Sequence, residues 1–157
     1  YTLIGHSDNR GEGDTNEMLK AKVKFAVKNR LKIIFCIGEN RKEKKNNKTL
    51  SVSKKQLTSV LERKFNKNNI IIAYEPIWSI GTGIIPTETE LQKTTIYIKK
   101  ILKNIFKKNN PAVLYGGSVD GNNVESFKQI KEIDGFLIGG ASKSSKKFID
   151  IIKNYYR

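Results

Sequence analysis

The 157-residue chain holds one cysteine and one histidine. A single cysteine excludes an internal disulfide and points to a reducing compartment. One histidine and no second cysteine leave too few ligands for a metal site of ordinary spacing, so no metal is expected. No apolar run approaches the roughly 18–20 residues of a membrane-spanning helix, so no membrane partner is expected. Acidic residues are scarce: 15, against 30 Lys and Arg, which gives a formal net charge of +15. Hydrophobic residues make up 38% of the chain, which is lean. Ile, Leu and Val nevertheless recur in short runs, which argues against wholesale disorder.

A charge of this sign raises nucleic acid or an anionic membrane surface as partners. The choice of cation argues otherwise. The chain has 25 Lys and only 5 Arg, whereas specific readers of DNA or RNA favour the planar Arg fork. The lysines are also spread along the chain, and Lys, Asn and Ile are all written by A/T-rich codons. The charge therefore reads as solvated helix faces, with no nucleic-acid partner.

What is present is alternation. Five apolar runs, Tyr1–Ile4, Ile33–Ile37, Ile70–Tyr74, Ala112–Tyr115 and Phe136–Ile138, are continuous, as suits parallel strands covered on both faces. Segments of helical period lie between and after them. Their stripes are Leu19/Val23/Ala26/Val27, Leu57/Val60/Leu61/Phe65, Leu91/Ile98/Leu102/Ile105, a shorter Val124/Phe127/Ile130, and Phe148/Ile151/Ile152/Tyr155. Thr87 and Glu90 form a capping-box pattern just after Pro86. The stretch Asn40–Lys48 reads as a loop or a solvated first turn. Five β/α pairs in one order specify a parallel α/β sheet with crossover helices, either an open doubly wound sheet or a closed barrel.

The chemistry-bearing residues follow the strands. They are Gly5-His6-Ser7-Asp8, Gly38-Glu39, Glu75-Pro76-Ile77-Trp78-Ser79-Ile80-Gly81-Thr82-Gly83, Gly116-Gly117-Ser118 and Gly139-Gly140-Ala141-Ser142. In a parallel sheet these positions share the C-terminal edge, where ligands bind. Glycine-rich turns there let successive N–H groups converge on a phosphate. Glu75 ends a buried strand, where desolvation raises a carboxyl pKa toward that of a general base. His6 stands at the same edge. A base, a hydrogen-bonding His and a phosphate nest suggest proton abstraction beside a carbonyl in a small phosphorylated substrate.

The same residues resemble the triosephosphate isomerase family. The resemblance rests on Ile4-Gly5-His6-Ser7, Cys36-Ile37-Gly38-Glu39, Ala73-Tyr74-Glu75-Pro76-Ile77-Trp78, Gly81-Thr82-Gly83, Tyr115-Gly116-Gly117-Ser118-Val119 and Asp134 to Ser142. It implies a (β/α)8 TIM barrel that interconverts dihydroxyacetone phosphate and glyceraldehyde 3-phosphate, a step of glycolysis and gluconeogenesis, without a cofactor. It also implies a cytoplasmic homodimer. Glu75 matches the proton acceptor and His6 the electrophile, a pairing for which this family is itself a standard example. Gly81, Ser118, Gly139 and Gly140 match the phosphate donors. Pro76–Thr82 matches the lid, with Pro76 and Trp78 in its first hinge, and Cys36 matches a buried strand cysteine. Ser7 and Asp8 have supporting places beside His6.

Departures accompany the match. Asp8-Asn9-Arg10 stands where the family has Glu-Arg-Arg, and Ser79 stands where Ala is usual. The family's Asn-x-Lys motif and main dimer loop have no counterpart in these residues. Tyr1 aligns within the family's fourth strand. At about 31 residues per unit, eight units come to roughly 250, so residues 1–157 are expected to be the last five of eight β/α units. Such a chain is expected to turn over little by itself. Two other readings are a gene remnant without function and a basic binding module on a partial barrel scaffold, which salt-dependent nucleic-acid binding would mark.

Overall fold

Five parallel strands lie side by side in chain order in the computed structural model, which describes residues 1–107 and 110–157. They are β1 (Thr2–Ile4), β2 (Ile33–Ile37), β3 (Ile70–Tyr74), β4 (Val113–Tyr115) and β5 (Gly135–Phe136). Helices α1 (Ser7–Gly11) and α2 (Asn16–Lys28) follow β1, and α3 (Arg41–Lys45) and α4 (Thr49–Val60) follow β2. Helix α5 (Glu88–Phe106) follows β3, and α6 (Ser145–Tyr156) follows β5.

Register places the strand ends. Ile37 pairs with Tyr74, and Tyr74 with Tyr115. The next residues, Gly38, Glu75 and Gly116, therefore leave the sheet abreast at one edge. Below that edge Ile34, Ile71 and Leu114 on one face of the sheet are only half-buried, while the other face is fully buried, with Ile33, Phe35, Ile70, Ile72 and Val113 in the core. Leu19 and Val23 of α2, Leu57 of α4, and Leu91, Ile98 and Leu102 of α5 pack on them. Each such side chain contributes about 1.5–3 kcal/mol through burial.

Local signals set the helix limits. Thr87 and Glu90 form the reciprocal capping box at the start of α5. The Asn40–Lys48 stretch, read as a loop or a solvated first turn, contains a short solvated helix. Asn40 and Glu43 make a second capping box there, which starts α3 without any buried face. The Leu57–Phe65 stripe outruns its helix: Leu61 is already extended, and Phe65 reaches the core from the following loop. Val124–Phe127 is a 3-10 turn rather than an α-helix. It is shaped by the Asp120 side chain, which accepts from the Asn122 and Asn123 amides. Its Phe127 stacks between Tyr115 and Phe136, with ring centroids 5.1 and 5.6 Å away.

The strand expectations shorten at three places. Ala112 gives its carbonyl to Ile72 N–H but stands outside β4. Tyr1 lies outside β1, and the last strand is Gly135–Phe136, with Leu137 N–H still donating to Tyr115 O. β1 pairs with β2 and β5 with β4, so the sheet ends at two open edges. The sheet is that of a partial (β/α) barrel. Leu3 on β1 is 49% exposed, and Phe148 and Ile152 of the α6 stripe are also exposed, while Ile151 is buried.

Some of the excess lysine is neutralised on helix surfaces. Lys20 and Lys24 of α2, together with Lys64, converge on Glu62 at 2.8–3.2 Å. Those hydrogen bonds, led by the one from Lys64, hold the Glu62 carboxyl down at about 2. No helix of the described residues is long and apolar enough to cross a membrane.

Candidate active site

Glu75 is fixed by the strand it ends. Its N–H donates to Ile37 O at 2.7 Å, and its side chain is almost completely buried. Among the described residues Oε2 has no hydrogen-bond partner, and Oε1 lies 3.9 Å from His6 Nε2. Burial pushes the Glu75 carboxyl above its ordinary range. The Cys36 thiol and the His6 ring pull it part of the way back. A buried carboxylate with an idle oxygen is costly to maintain in a fold unless a ligand completes it. Gly116 makes room for it, because a Cβ there would sit 2.5 Å from Glu75 Cγ.

His6 caps α1. Its Nδ1 accepts the Asp8 N–H at 3.4 Å, so in the neutral ring the proton sits on Nε2, the nitrogen facing Glu75. Asp8 Oδ2 is also 3.4 Å from Nδ1, but that side chain is 82% exposed and its charge is screened by water. Arg10 braces the strand ends by donating to Gly5 O at 2.8 Å and Cys36 O at 3.1 Å. Cys36 is buried, and burial with the Glu75 charge pushes its thiol far above the usual range. It is a packing residue, not a nucleophile.

The segment after Glu75 is tied down at several points. Ile77–Ser79 forms a 3-10 turn. Trp78 Nε1 donates to Glu39 Oε1 at 2.8 Å, and Tyr74 Oη donates to Glu39 Oε2 at 3.1 Å, so a fully buried carboxylate anchors the hinge. Lys44 Nζ lies over the Trp78 ring. The Ser79 hydroxyl donates to Ile84 O at 2.6 Å, lies 3.0 Å from Tyr115 Oη and accepts from Ser118 N–H at 3.3 Å. Ser118 Oγ in turn donates to Ser79 O and accepts from Gly83 N–H at 3.1 Å. Segment 76–84 is thus laced to the Tyr115–Ser118 turn.

These elements enclose a cavity of about 540 Å³. His6, Glu75, Gly81, Ser118, Gly139 and Gly140 all line it, so the structure brings together the six residues read as catalytic or phosphate-binding. Gly139 and Gly140 open the 3-10 turn Gly140–Lys143, where the first amides have no carbonyl within the turn. A Cβ at either would meet nothing within 4 Å, so both face open space. The supporting residues Ser7, Asp8, Cys36 and Trp78 lie outside this cavity. Ser7 and Cys36 instead line a small cleft beneath Gly5 and Gly38.

Sequence reasoning assigned no role to Glu39, Ser79 or Lys147. Glu39 carried the same signal as Glu75, a carboxylate at a strand end. Ser79 stood out only as a departure from the usual Ala, and a small polar residue in a loop is ordinary. Lys147 lines the cavity from α6 but was one lysine among 25.

A parallel sheet with a buried carboxylate, an imidazole and glycine turns at the C-terminal ends of its strands is the arrangement of a (β/α)-barrel protein with a cleft at that edge. Comparison narrows this class. The family model for triosephosphate isomerase matches residues 1–155. The triosephosphate isomerase of Thermodesulfovibrio yellowstonii is 38% identical over 156 residues, that of Yarrowia lipolytica 40% over 157, and that of Saccharomyces cerevisiae 39% over 158. Each match covers 98% of this chain and 63% of the relative. The chain belongs to the triosephosphate isomerase family, and it spans 63% of the length of these relatives.

Proposed function

We propose that these residues belong to a site that interconverts dihydroxyacetone phosphate and glyceraldehyde 3-phosphate through an enediolate. The observation that carries this reading is the idle Oε2 of buried Glu75 beside His6 Nε2, in a cavity floored by glycine turns. Glu75 takes a proton from the carbon next to the carbonyl, and the C–H electron pair becomes the C=C bond of the enediolate. His6 donates its Nε2–H to the oxygen that gains charge and takes the proton of the neighbouring hydroxyl in return, so the O–H moves from one oxygen to the other and the ring ends neutral. The proton then returns from Glu75 to the neighbouring carbon, and no cofactor is consumed. The raised Glu75 carboxyl suits the role, since a base must hold the proton it takes.

The Gly81, Ser118, Gly139 and Gly140 amides hold the phosphate, and segment 76–84 covers it. Excluding water protects an enediolate that would otherwise expel phosphate. Residues 1–157 would be five of the eight units of a single barrel domain, and the isolated chain would turn over slowly. In a full-length protein the reading extends to a cytoplasmic homodimer acting in glycolysis and gluconeogenesis.

The test is deuterium wash-in from D2O at the carbon beside the carbonyl, with Glu75→Gln as the blank. Exchange above the blank supports the reading. Wild-type exchange equal to the blank, together with unmoved Gly139 and Gly140 amides on phosphate titration, would refute it.

A further inference from the structure

A dianionic phosphate seated against neutral amides is held more tightly when a cation is added, and the cavity holds one that no motif predicted. Its ionisable lining residues are His6, Glu75, Asp120 and Lys147. Lys147 alone carries a positive charge throughout the neutral range. Asp120 is committed elsewhere, since its carboxylate accepts from the Asn122 and Asn123 amides at 2.8 and 3.1 Å. Glu75 and His6 face each other at the mouth of β3. Lys147 lines the cavity from the first turn of α6, which follows the turn that Gly139 and Gly140 open.

The position is electrostatically unfavourable without an anion. Lys146 and Lys147 stand in the first turn of α6, which has no acidic residue, and Lys143 ends the preceding turn. Helix N-termini carry partial positive charge and ordinarily attract acids. Ser144 Oγ caps the helix by accepting the Lys147 N–H, so the Lys147 backbone is held beside the glycine turn. Among the described residues Lys147 has no carboxylate within ion-pair distance, unlike Lys20, Lys22, Lys24, Lys44, Lys64, Lys99 and Lys128.

We infer that Lys147 is a phosphate-binding residue of this cavity, its ammonium closing on the phosphate that the Gly139 and Gly140 amides receive. The inference rests on the reading of the cleft as a phosphate site and adds to it a charged residue specific to α6. Phosphate would relieve the like-charge crowding of Lys143, Lys146 and Lys147, and a phosphorylated ligand would be preferred over its unphosphorylated analogue.

The experiment follows the Gly139, Gly140 and Ser118 amides by NMR on the 157-residue chain, with inorganic phosphate and then 2-phosphoglycolate as probes. Wild type, Lys147→Gln, Lys147→Arg and Lys143→Gln are compared at fixed ionic strength. Losing a charge-assisted contact predicts about tenfold weaker binding for K147Q. K147R should restore most of it, and K143Q should stay within about twofold of wild type. Equal affinity for K147Q and wild type would overturn the inference while leaving the cleft reading intact. If phosphate leaves the glycine amides unmoved in wild type, the cleft reading fails and the role of Lys147 falls with it. Lys147 is exposed, so matching circular dichroism spectra of the variants will separate lost binding from lost fold.

Discussion

The indole N–H of Trp78 points 2.8 Å from Oε1 of Glu39, a carboxylate with no exposure to solvent. Tyr74 Oη serves the same carboxylate. One buried anion on the β2 end thus holds both the last residue of β3 and the hinge of the segment that follows it. Trp78→Phe would strip Glu39 of one of its two side-chain donors. The expected cost is about 1–3 kcal/mol, the penalty for leaving a buried charged acceptor short of a partner. Urea unfolding will show it, and an unchanged midpoint would count against the anchor.

Glu75 makes stability depend on pH in an unusual direction. Its carboxyl is raised in the folded chain, chiefly by burial. The folded state therefore holds the proton more tightly than the unfolded state does. Stability from this group is full below the ordinary carboxylate pKa, about 4.3, and is lost as pH rises through the folded value. Glu75→Gln should raise Tm at pH 7, and the gain should fade by pH 4. A Tm lowered at pH 7 would show that the carboxylate is better solvated than its burial implies.

Ser79 ties three strands of the same knot through one hydroxyl. Ser79→Ala leaves Tyr115 Oη without its serine neighbour and Ser118 N–H without its acceptor. Tyr115, whose hydroxyl burial pushes up to about 12, should move further up once the serine contact that lowers it is gone. The expected destabilisation is about 1–2 kcal/mol. Amide exchange at Gly83 and Ile84 should quicken, whereas exchange in α5 should not.

The open edge at β1 exposes Leu3 and Tyr1, at 49% and 73%. Unpaired edges with apolar side chains recruit other strands. The isolated chain should associate as its concentration rises, and Leu3→Lys should reduce this in sedimentation runs. A chain that stays monomeric at high concentration would contradict the expectation.

Much of this was legible before any coordinates. Ile33–Ile37 and Ile70–Tyr74 are strands at the very residues read from their apolar continuity. One face of these central strands is fully buried and the other, with Ile34 and Ile71, is half-buried, so apolar residues at every position suit them. Edge strands β1 and β5 shortened because pairing on one side alone supports fewer ladder bonds. The clusters that hold the six cavity residues could be read because strand ends in a parallel sheet share one edge, and the family resemblance picked out the six within them. The roles of Ser79 and Lys147 went unread for the opposite reason. Their importance comes from neighbours 36 residues away in the one case and from the near end of a distant helix in the other, and neither leaves a pattern in local spacing.

The order β1-β2-β3-β4-β5 means that every strand touches only its predecessor and successor. Energetically the sheet behaves like a short linear array, in which each unit is held by its nearest neighbours. Damage at one end should then fade with distance. Amide protection should be deepest at β2 and β3 and fall away toward β5, so the molecule would come apart progressively from its margins, with the Glu75 strand among the last elements to open.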